Sequence, residues 1–508
     1  MMVRSTCLVA LSACALAFPS AAGADPSLPG EIGHDDANHD HAPFYPPAPD
    51  GALNIETLAQ NNLGVEDTTN SDLAFWKDLA AAGNYDGFRL FDISKPASPE
   101  LLVSFKCRGP QNDVSLYQVR GRMYLFQSID RAQTAEDCSS KDTALVYDDT
   151  GDVAPADPAQ RRPGIAVRAA YGFEGVRMFD VTNPRQPQFL RAFRTDCGSH
   201  THTLVPDKSK QALYLYVSSY PLGSGITAQP DQNRADACTL PHQKISIIKV
   251  PFANPASGTV REKALSSDTT PTRGFKACHD IQAILRDDIA IGSCAGDVQI
   301  WDISDRGNPT SADGERHTHV PARMDGSGRG FDFVHTAIAT YDGKLMAVTD
   351  ETGGGGTAEC DADMSDDGFL YFYTLPEPGQ PVQYKGRYMI PRPQGTQICV
   401  THNGQMIPVT DGRYLASVAY YQGGTTIVDF TDPANPREIA YTDAANSDTW
   451  SAYWYNGFVF ANGGLHRRGE NPGFEVYRVS DENGTTLRTR RWHHLNPQTQ
   501  EGFQETGR

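Results

Sequence analysis

Seven residues of this chain share one position in a repeated pattern, namely the start of the first predicted strand of each copy. They are Asp72, Asp113, His202, His279, His335, His402 and Trp450. Three of them, Asp113, His279 and His335, precede the next predicted strand by the same interval, which supports the alignment. Four histidines on successive copies, flanked by two carboxylates, are ligand types that bind transition metals.

Imidazole and carboxylate groups that converge on one point predict a divalent metal ion, with zinc or copper expected. We expect His202, His279, His335 and His402 to be the ligands. Asp72 or Asp113 would then act as a catalytic base or would orient a metal-bound water.

Two further residues are assigned to the same candidate site. His200 lies two residues before His202 and so shares its strand face, which makes it a fifth ligand or a donor to a ligand. Trp450 is expected to close the site as an apolar wall.

The elements that must position these residues come from one repeat. Gly87 to Pro99 is echoed by Gly175 to Pro187 and Gly424 to Pro436, each reading as a short apolar strand followed by Asp, Ser or Thr, and proline. Asp297 to Ser304 is a fourth copy, and three weaker copies begin near residues 245, 369 and 474. Strand-like runs surround each copy, and helical periodicity is almost absent.

Three or four antiparallel strands per repeat make one blade of a β-propeller. The chain is therefore predicted to be all-β, a single β-propeller of about seven blades with an N-terminal extended arm. The predicted boundaries are a signal peptide over 1–24, a polar, proline-rich arm over 25–70, the propeller over 71–494 and a tail over 495–508. In this fold the first strand of each blade lines the central channel, so the seven equivalent residues should face one end of it.

The repeat resembles that of the LVIVD-repeat proteins, whose name-giving strand reads here as Leu90-Phe91-Asp92-Ile93 and Ile427-Val428-Asp429-Phe430. Between Ser71 and Asp481 the chain is similar to a bacterial exported subgroup marked by several short segments. These include Asn84-Tyr85-Asp86-Gly87, Thr349-Asp350-Glu351, His402-Asn403-Gly404, Tyr421-Gln422-Gly423-Gly424 and Trp450-Ser451-Ala452-Tyr453-Trp454. The resemblance implies a propeller in an extracytoplasmic setting and implies no particular reaction.

Two classes of function stay open. One is a metal-dependent enzyme, a hydrolase or lyase with zinc or calcium or an oxidase with copper, acting on a small molecule in the channel. The other is a non-catalytic propeller that presents its long insertions to an extracellular protein or a glycan. In the second class the histidines would only bond the backbone of neighbouring blades.

The N-terminus predicts the protein's location. Arg4, the apolar run from Leu8 to Phe18 and Ala22-Gly23-Ala24 have the order of a secretory signal, so the protein is expected to be secreted or periplasmic. Lipidation at Cys14 is the alternative. No later apolar run is long enough to span a membrane. The net charge of −18 argues against nucleic acid as a partner.

Loss of the signal would leave eight cysteines, an even number that favours disulfides in an oxidising compartment. Pairing of neighbours within a blade or at its junction predicts four local bridges. They are Cys107–Cys138, Cys197–Cys238, Cys278–Cys294 and Cys360–Cys399.

Overall fold

The computed structural model describes residues 51–501 except for a set of gaps. The gaps are 66–67, 143–144, 148–165, 169–171, 221–240, 266–275, 295, 312–316, 319–332, 352–367, 376–380, 393–396, 445–446, 465–471 and 482. The predicted signal peptide, Cys14 and the first part of the arm lie outside the described residues. No helix in the described part of the chain is long and apolar enough to cross a membrane.

Strands make up almost all of the described structure. Two strands precede the first repeat, β1 (Gly51–Leu53) and β2 (Ile55–Asn61). Blade 1 consists of β3 (Asn70–Trp76), β4 (Leu79–Asn84), β5 (Gly87–Asp92) and β6 (Glu100–Lys106). Blade 2 consists of β7 (Gln111–Val119), β8 (Arg122–Gln133), β11 (Phe173–Asp180) and β12 (Gln188–Arg194), with the inserted pair β9 (Leu145–Tyr147) and β10 (Ala166–Arg168).

The middle blades follow the same order from the channel outward. Blade 3 consists of β13 (Thr201–Asp207), β14 (Ala212–Ser218), β15 (Lys244–Pro251), a short 3-10 turn (Pro255–Ser257) and β16 (Thr259–Ala264). Blade 4 consists of β17 (Cys278–Ile284), β18 (Ile289–Cys294), β19 (Asp297–Asp302), β20 (Thr310–Ser311) and β21 (His317–Thr318). Blade 5 consists of β22 (Val334–Ala339), β23 (Leu345–Asp350), β24 (Leu370–Thr374) and β25 (Tyr384–Tyr388).

The last two blades complete a seven-bladed propeller, as the repeat predicts. Blade 6 consists of β26 (Gly404–Ile407), β27 (Leu415–Ala419), β28 (Thr425–Asp429) and β29 (Arg437–Asp443). Blade 7 consists of β30 (Thr449–Tyr455), β31 (Phe458–Gly463) and β32 (Gly473–Val479). Two short strands follow, β33 (His494–Leu495) and β34 (Thr499–Gln500).

The N-terminal strands close the ring. β2 pairs antiparallel with β32, with Ile55 opposite Val479, and so supplies the outer strand of blade 7. β1 pairs in the same way with β29 of blade 6. The range 25–70, predicted as an arm before the ring, therefore includes two strands that belong to the propeller.

The C-terminal segment crosses the end of the channel opposite the strand starts. β33 pairs with β3 of blade 1, and β34 runs parallel to β17 of blade 4. Between them, the Asn496 amide donates to the carbonyl of Leu116, and the Thr499 hydroxyl donates to that of Leu204. Residues 494–501 thus plug the channel, although the sequence predicted a tail from residue 495.

The repeat motif has the local role that its residues predict. In each of the four clear copies the Asp carboxylate accepts a hydrogen bond from the backbone N–H two residues later, as Asp92 does from Ser94 at 2.8 Å. Gly175 opens one copy with a φ of +141°, and a Cβ there would lie 2.1 Å from the carbonyl oxygen of Phe193. Only glycine fits this close approach of two strands.

Two predicted disulfides are present, Cys107–Cys138 and Cys278–Cys294. Cys197 and Cys399 are also disulfide-bonded, while their predicted partners, Cys238 and Cys360, lie outside the described residues. Disulfides are typical of proteins from oxidising compartments.

Candidate metal site at the channel end

One side chain from each blade contributes to a closed ring of side-chain contacts around the channel. This ring lies at the end of the channel where the first strand of each blade begins. In blade order the contributing residues are Tyr85, Gln111, His200, His279, His335, His402 and Trp450. The ring centroids from His200 to Trp450 are separated in turn by 4.4, 3.8, 4.1 and 4.9 Å. The ring of contacts closes because Tyr85 contacts Trp450 and bonds Gln111, whose amide nitrogen lies 2.8 Å from His200 Nε2. All seven side chains are buried.

Three of the predicted histidines lie side by side in this ring of contacts: His279, His335 and His402. A carboxylate from the end of the second strand of blade 5, Glu351, lies against them. Its Oε2 is 3.6 Å from His335 Nε2, and its Oε1 is 3.6 Å from His402 Nε2. One ligand atom each from His279, His335 and Glu351 fall within 4.8 Å of one another, which is the separation of groups that could hold one ion.

Hydrogen bonds between blades orient two of these rings. His279 Nδ1 lies 3.1 Å from the carbonyl oxygen of His335, and His402 Nδ1 lies 2.5 Å from that of Trp450. A carbonyl can only accept, so both rings carry a proton on Nδ1, and in the neutral ring the lone pair is on Nε2. This is the tautomer of histidines that bind metal through Nε2.

A backbone irregularity places these histidines at the channel. In β17 the register with β18 shifts between Cys278 and Asp280, so His279 is the extra residue of a β-bulge. The register of β22 shifts in the same way across His335. In blade 6 both His402 and Asn403 bond the backbone of Ala419. A bulge re-aims a side chain relative to the regular alternation of a strand.

His202 does not lie in the row formed by His279, His335 and His402, which corrects its assignment as a ligand. Its strand, β13, keeps an unbroken register with β14 and has no bulge. The ring therefore points toward blade 2, where Nε2 lies 2.6 Å from the Ser115 hydroxyl and Nδ1 lies 2.8 Å from that of Ser128. Burial lowers the pKa of His202 to about 3, so the ring is neutral and both nitrogens are hydrogen-bonded.

His200 takes the place in the row that was predicted for His202. Its Nδ1 lies 3.0 Å from a carboxylate oxygen of Asp130, and its Nε2 lies beside the Gln111 amide. In this arrangement Nδ1–H donates to Asp130, and Nε2 accepts from Gln111. His200 therefore packs on His279 as a neighbour of the candidate ligands.

The two predicted catalytic aspartates form a separate acidic group in the channel with Asp280. Asp113 accepts from the backbone N–H of His202 at 2.7 Å, and Asp72 accepts from Gln498 of the plug at 3.1 Å. Burial raises the pKa of Asp72 to about 6, and burial together with the charge of Asp72 raises that of Asp113 well above its usual range. Burial likewise raises the pKa of Asp280 to about 7. The acidic residue that contacts the histidine row is Glu351.

Aromatic side chains surround the row. Trp450 contacts His402 edge-on, and the ring of Tyr421 lies 4.6 Å from that of His402. At the other end of the row Tyr220 and Phe333 contact His279. The candidate site is therefore shielded from water, which strengthens electrostatic interactions within it.

A second group of potential ligands, Asp196, Cys197 and His242, lies in blade 3. Its cysteine is disulfide-bonded, and the ammonium of Lys244 lies 2.5 Å from the Asp196 carboxylate. A thiolate is absent from this group and a cation already occupies it, so it is a poor metal site.

Sequence reasoning missed Glu351 and Asp280. Glu351 lies in the Thr349-Asp350-Glu351 segment that contributes to the family resemblance. It follows the second strand of its blade, so an alignment of the first strands did not include it. Asp280 directly follows His279, and the bulge brings both residues to the channel.

No family model matches the chain, and no curated protein matches it. Among solved structures the chain is similar to the β-propeller domain of Cps50 (Swd1) from Myceliophteria thermophila, with 10% identity, a TM-score of 0.47 and coverage of 84% of this chain and 100% of that one. It is also similar to Sqt1 from Saccharomyces cerevisiae, with 9% identity, a TM-score of 0.47 and coverage of 85% and 100%. Raptor from Chaetomium thermophilum matches with 10% identity, a TM-score of 0.44 and coverage of 85% of this chain and 29% of Raptor. Membership of the LVIVD-repeat proteins stays a prediction from the quoted motifs.

Proposed function

We propose that this protein is an exported, metal-binding β-propeller in which His279, His335, His402 and Glu351 hold one divalent transition-metal ion. The observation that carries the proposal is a row of three buried imidazoles from successive blades with one buried carboxylate against it. Glu351 lies 3.6 Å from both His335 and His402, and ligand atoms of Glu351, His279 and His335 lie within 4.8 Å of one another. This set replaces His202 of the sequence-based prediction by Glu351.

The donor atoms favour a particular class of ion. Three nitrogens and a carboxylate oxygen, without a thiolate, are ligands that zinc, copper and iron accept. Bonds of about 2.0 to 2.1 Å to zinc require donor atoms closer together than the 3.6 Å contacts between Glu351 and two of the histidines. Binding would therefore require the rings and the carboxylate to move toward the ion.

The charge balance also favours a cation. Glu351 is fully buried, and an ion would compensate the cost of burying an ionised carboxylate. The His279 and His402 rings are already fixed as Nδ1–H tautomers by backbone carbonyls, so little conformational freedom would be lost on binding.

The reaction class depends on the ion. With zinc the site would activate a water for hydrolysis or elimination on a small molecule, and with copper it would support an oxidation. Asp72 and Asp113 were expected to serve as the base, but in the structure their partners are His202 and the plug. The proposal therefore assigns Glu351 the role of a ligand and gives neither aspartate a role as base.

Elemental analysis of the protein purified without added metal tests the proposal. We expect close to one equivalent of a transition metal, and its loss in a His335→Gln, Glu351→Gln double variant. His493→Gln, which changes a partly buried histidine at the plug, is the matched control and should keep the metal.

Two results would contradict a metal site: wild-type protein that stays empty after incubation with zinc, copper or cobalt, or a double variant that binds as much metal as the wild type. The histidine row would then serve only to join blades. The protein would return to the class of non-catalytic propellers that bind an extracellular protein or a glycan.

A further inference from the structure

Tyr421 of blade 6 contacts the candidate site and has an unusual backbone conformation. Its φ is +46°, in the left-handed region that residues with a side chain rarely adopt. The turn after β27 imposes this conformation, because Gly424 N–H donates to the Tyr421 carbonyl and Tyr420 N–H donates to the Gly424 carbonyl. Strained residues of this kind concentrate at functional sites.

The neighbouring blade holds the same backbone from the other side. Tyr421 N–H donates to the Thr449 carbonyl at 3.1 Å, and Thr449 N–H donates back at 2.8 Å. These two bonds fix Tyr421 at the junction of blades 6 and 7, directly beside Trp450. The position of its ring is therefore determined by the backbones of two blades.

The phenol of Tyr421 is directed at the acid of the candidate site. Its hydroxyl donates a hydrogen bond to Glu351 Oε1, and its ring lies against His402. Both Tyr421 and Glu351 are fully buried. One carboxylate oxygen is thus bonded to Tyr421, while Oε2 faces Nε2 of His335.

We propose that Tyr421 is a positioning residue that holds Glu351 for coordination through Oε2 alone. This inference rests on the proposed metal site and adds a mode of coordination to it. Bonding of Oε1 to the phenol disfavours two-oxygen coordination and fixes the plane of the carboxylate. Groups that orient a ligand in this way typically change metal affinity by about 10- to 100-fold when they are removed.

Cobalt(II) titration of the metal-free protein tests this role, because the visible spectrum of cobalt reports its coordination number. In Tyr421→Phe we expect cobalt affinity to fall by about 10- to 100-fold. The spectrum should change as well, because Oε1 becomes available to the ion.

Tyr420→Phe is the matched control. Tyr420 is the preceding residue, is equally buried, and its hydroxyl has no hydrogen-bond partner among the described residues. This variant removes the same atom one residue away and should have wild-type affinity and spectrum.

A double-mutant cycle distinguishes positioning from a general effect on the fold. Glu351→Gln should weaken cobalt binding, and adding Tyr421→Phe to it should cause no further loss, because Tyr421 acts through Glu351. Wild-type affinity and spectrum in Tyr421→Phe, or fully additive losses in the cycle, would overturn the positioning role alone. A wild-type protein that binds no cobalt would overturn the proposed function and this inference with it.

Discussion

The Nδ1–H of His402 donates a hydrogen bond to the backbone carbonyl of Trp450, 2.5 Å away, and so joins blade 6 to blade 7 at the channel. The histidines of the row are thus part of the contacts between blades as well as candidate ligands. A row that served only a metal would contribute nothing to the metal-free fold.

His402→Ala should therefore destabilise the metal-free protein. The change leaves the buried Trp450 carbonyl without this donor, which costs roughly 1 to 3 kcal/mol in the free energy of unfolding. Urea denaturation followed by tryptophan fluorescence measures the loss, with His493→Ala as the control. An unchanged urea midpoint would mean that the His402 bond does not stabilise the junction.

Glu475 on β32 predicts a pH dependence of stability. Burial raises its pKa to about 7, whereas in the unfolded chain it is near 4.5. Between these values the folded state keeps a proton that the unfolded state has released, so the free energy of unfolding falls as the pH rises from about 4.5 to 7.

Glu475→Gln should remove this part of the pH dependence. Relative to wild type, the variant should gain up to roughly 3 kcal/mol in free energy of unfolding between pH 4 and pH 8. Urea denaturation at both pH values measures the gain, and Glu100→Gln, an exposed change, is the control. A constant difference between variant and wild type at the two pH values would refute the raised pKa.

The disulfide framework gives a third prediction. Non-reducing peptide mapping should find Cys107–Cys138 and Cys278–Cys294, together with the two expected bridges Cys197–Cys238 and Cys360–Cys399. Replacing both Cys278 and Cys294 by alanine opens a loop of 16 residues and should cost about 3 kcal/mol of stability. Bridges between distant blades, or free thiols at these positions, would refute the local pairing.

The C-terminal plug gives a fourth prediction. Ending the chain after Trp492 removes hydrogen bonds to several blades, among them those to Leu116, Leu204, Ala283 and Ala339, and at about 1 kcal/mol each these four alone should cost roughly 4 kcal/mol. Thermal denaturation of the truncated and the full-length protein measures the loss. Equal midpoints for the two proteins would show that the plug does not stabilise the ring.

Much of the fold could be predicted from the repeat. Strand, Asp turn and proline recur in the four clear copies, and each copy is a local signal that needs no knowledge of its partners. The closure by β2 had no such signal, because Ile55 and Val479 are paired across almost the whole ring. The plug could not be predicted for the same reason, because its hydrogen bonds are to strands far away in sequence.

The candidate site could be predicted only in part. Equivalent positions brought His279, His335 and His402 together as expected, because each stands at a β-bulge or a similar irregularity. The prediction for His202 was wrong because β13 has no bulge. A one-residue change in register turns a side chain to the other face of its strand. Glu351 comes from a different strand of its blade, so only the folded sheet shows its proximity to the row.

The pairing of β2 with β32 also sets the order of events during synthesis. The segment that forms β2 is made before the first blade, yet its partner is made after the sixth blade. Until then β2 has no partner strand, and unpaired strands are prone to associate with other chains. Ring closure is therefore a late step, in which one of the first strands made is among the last to be paired.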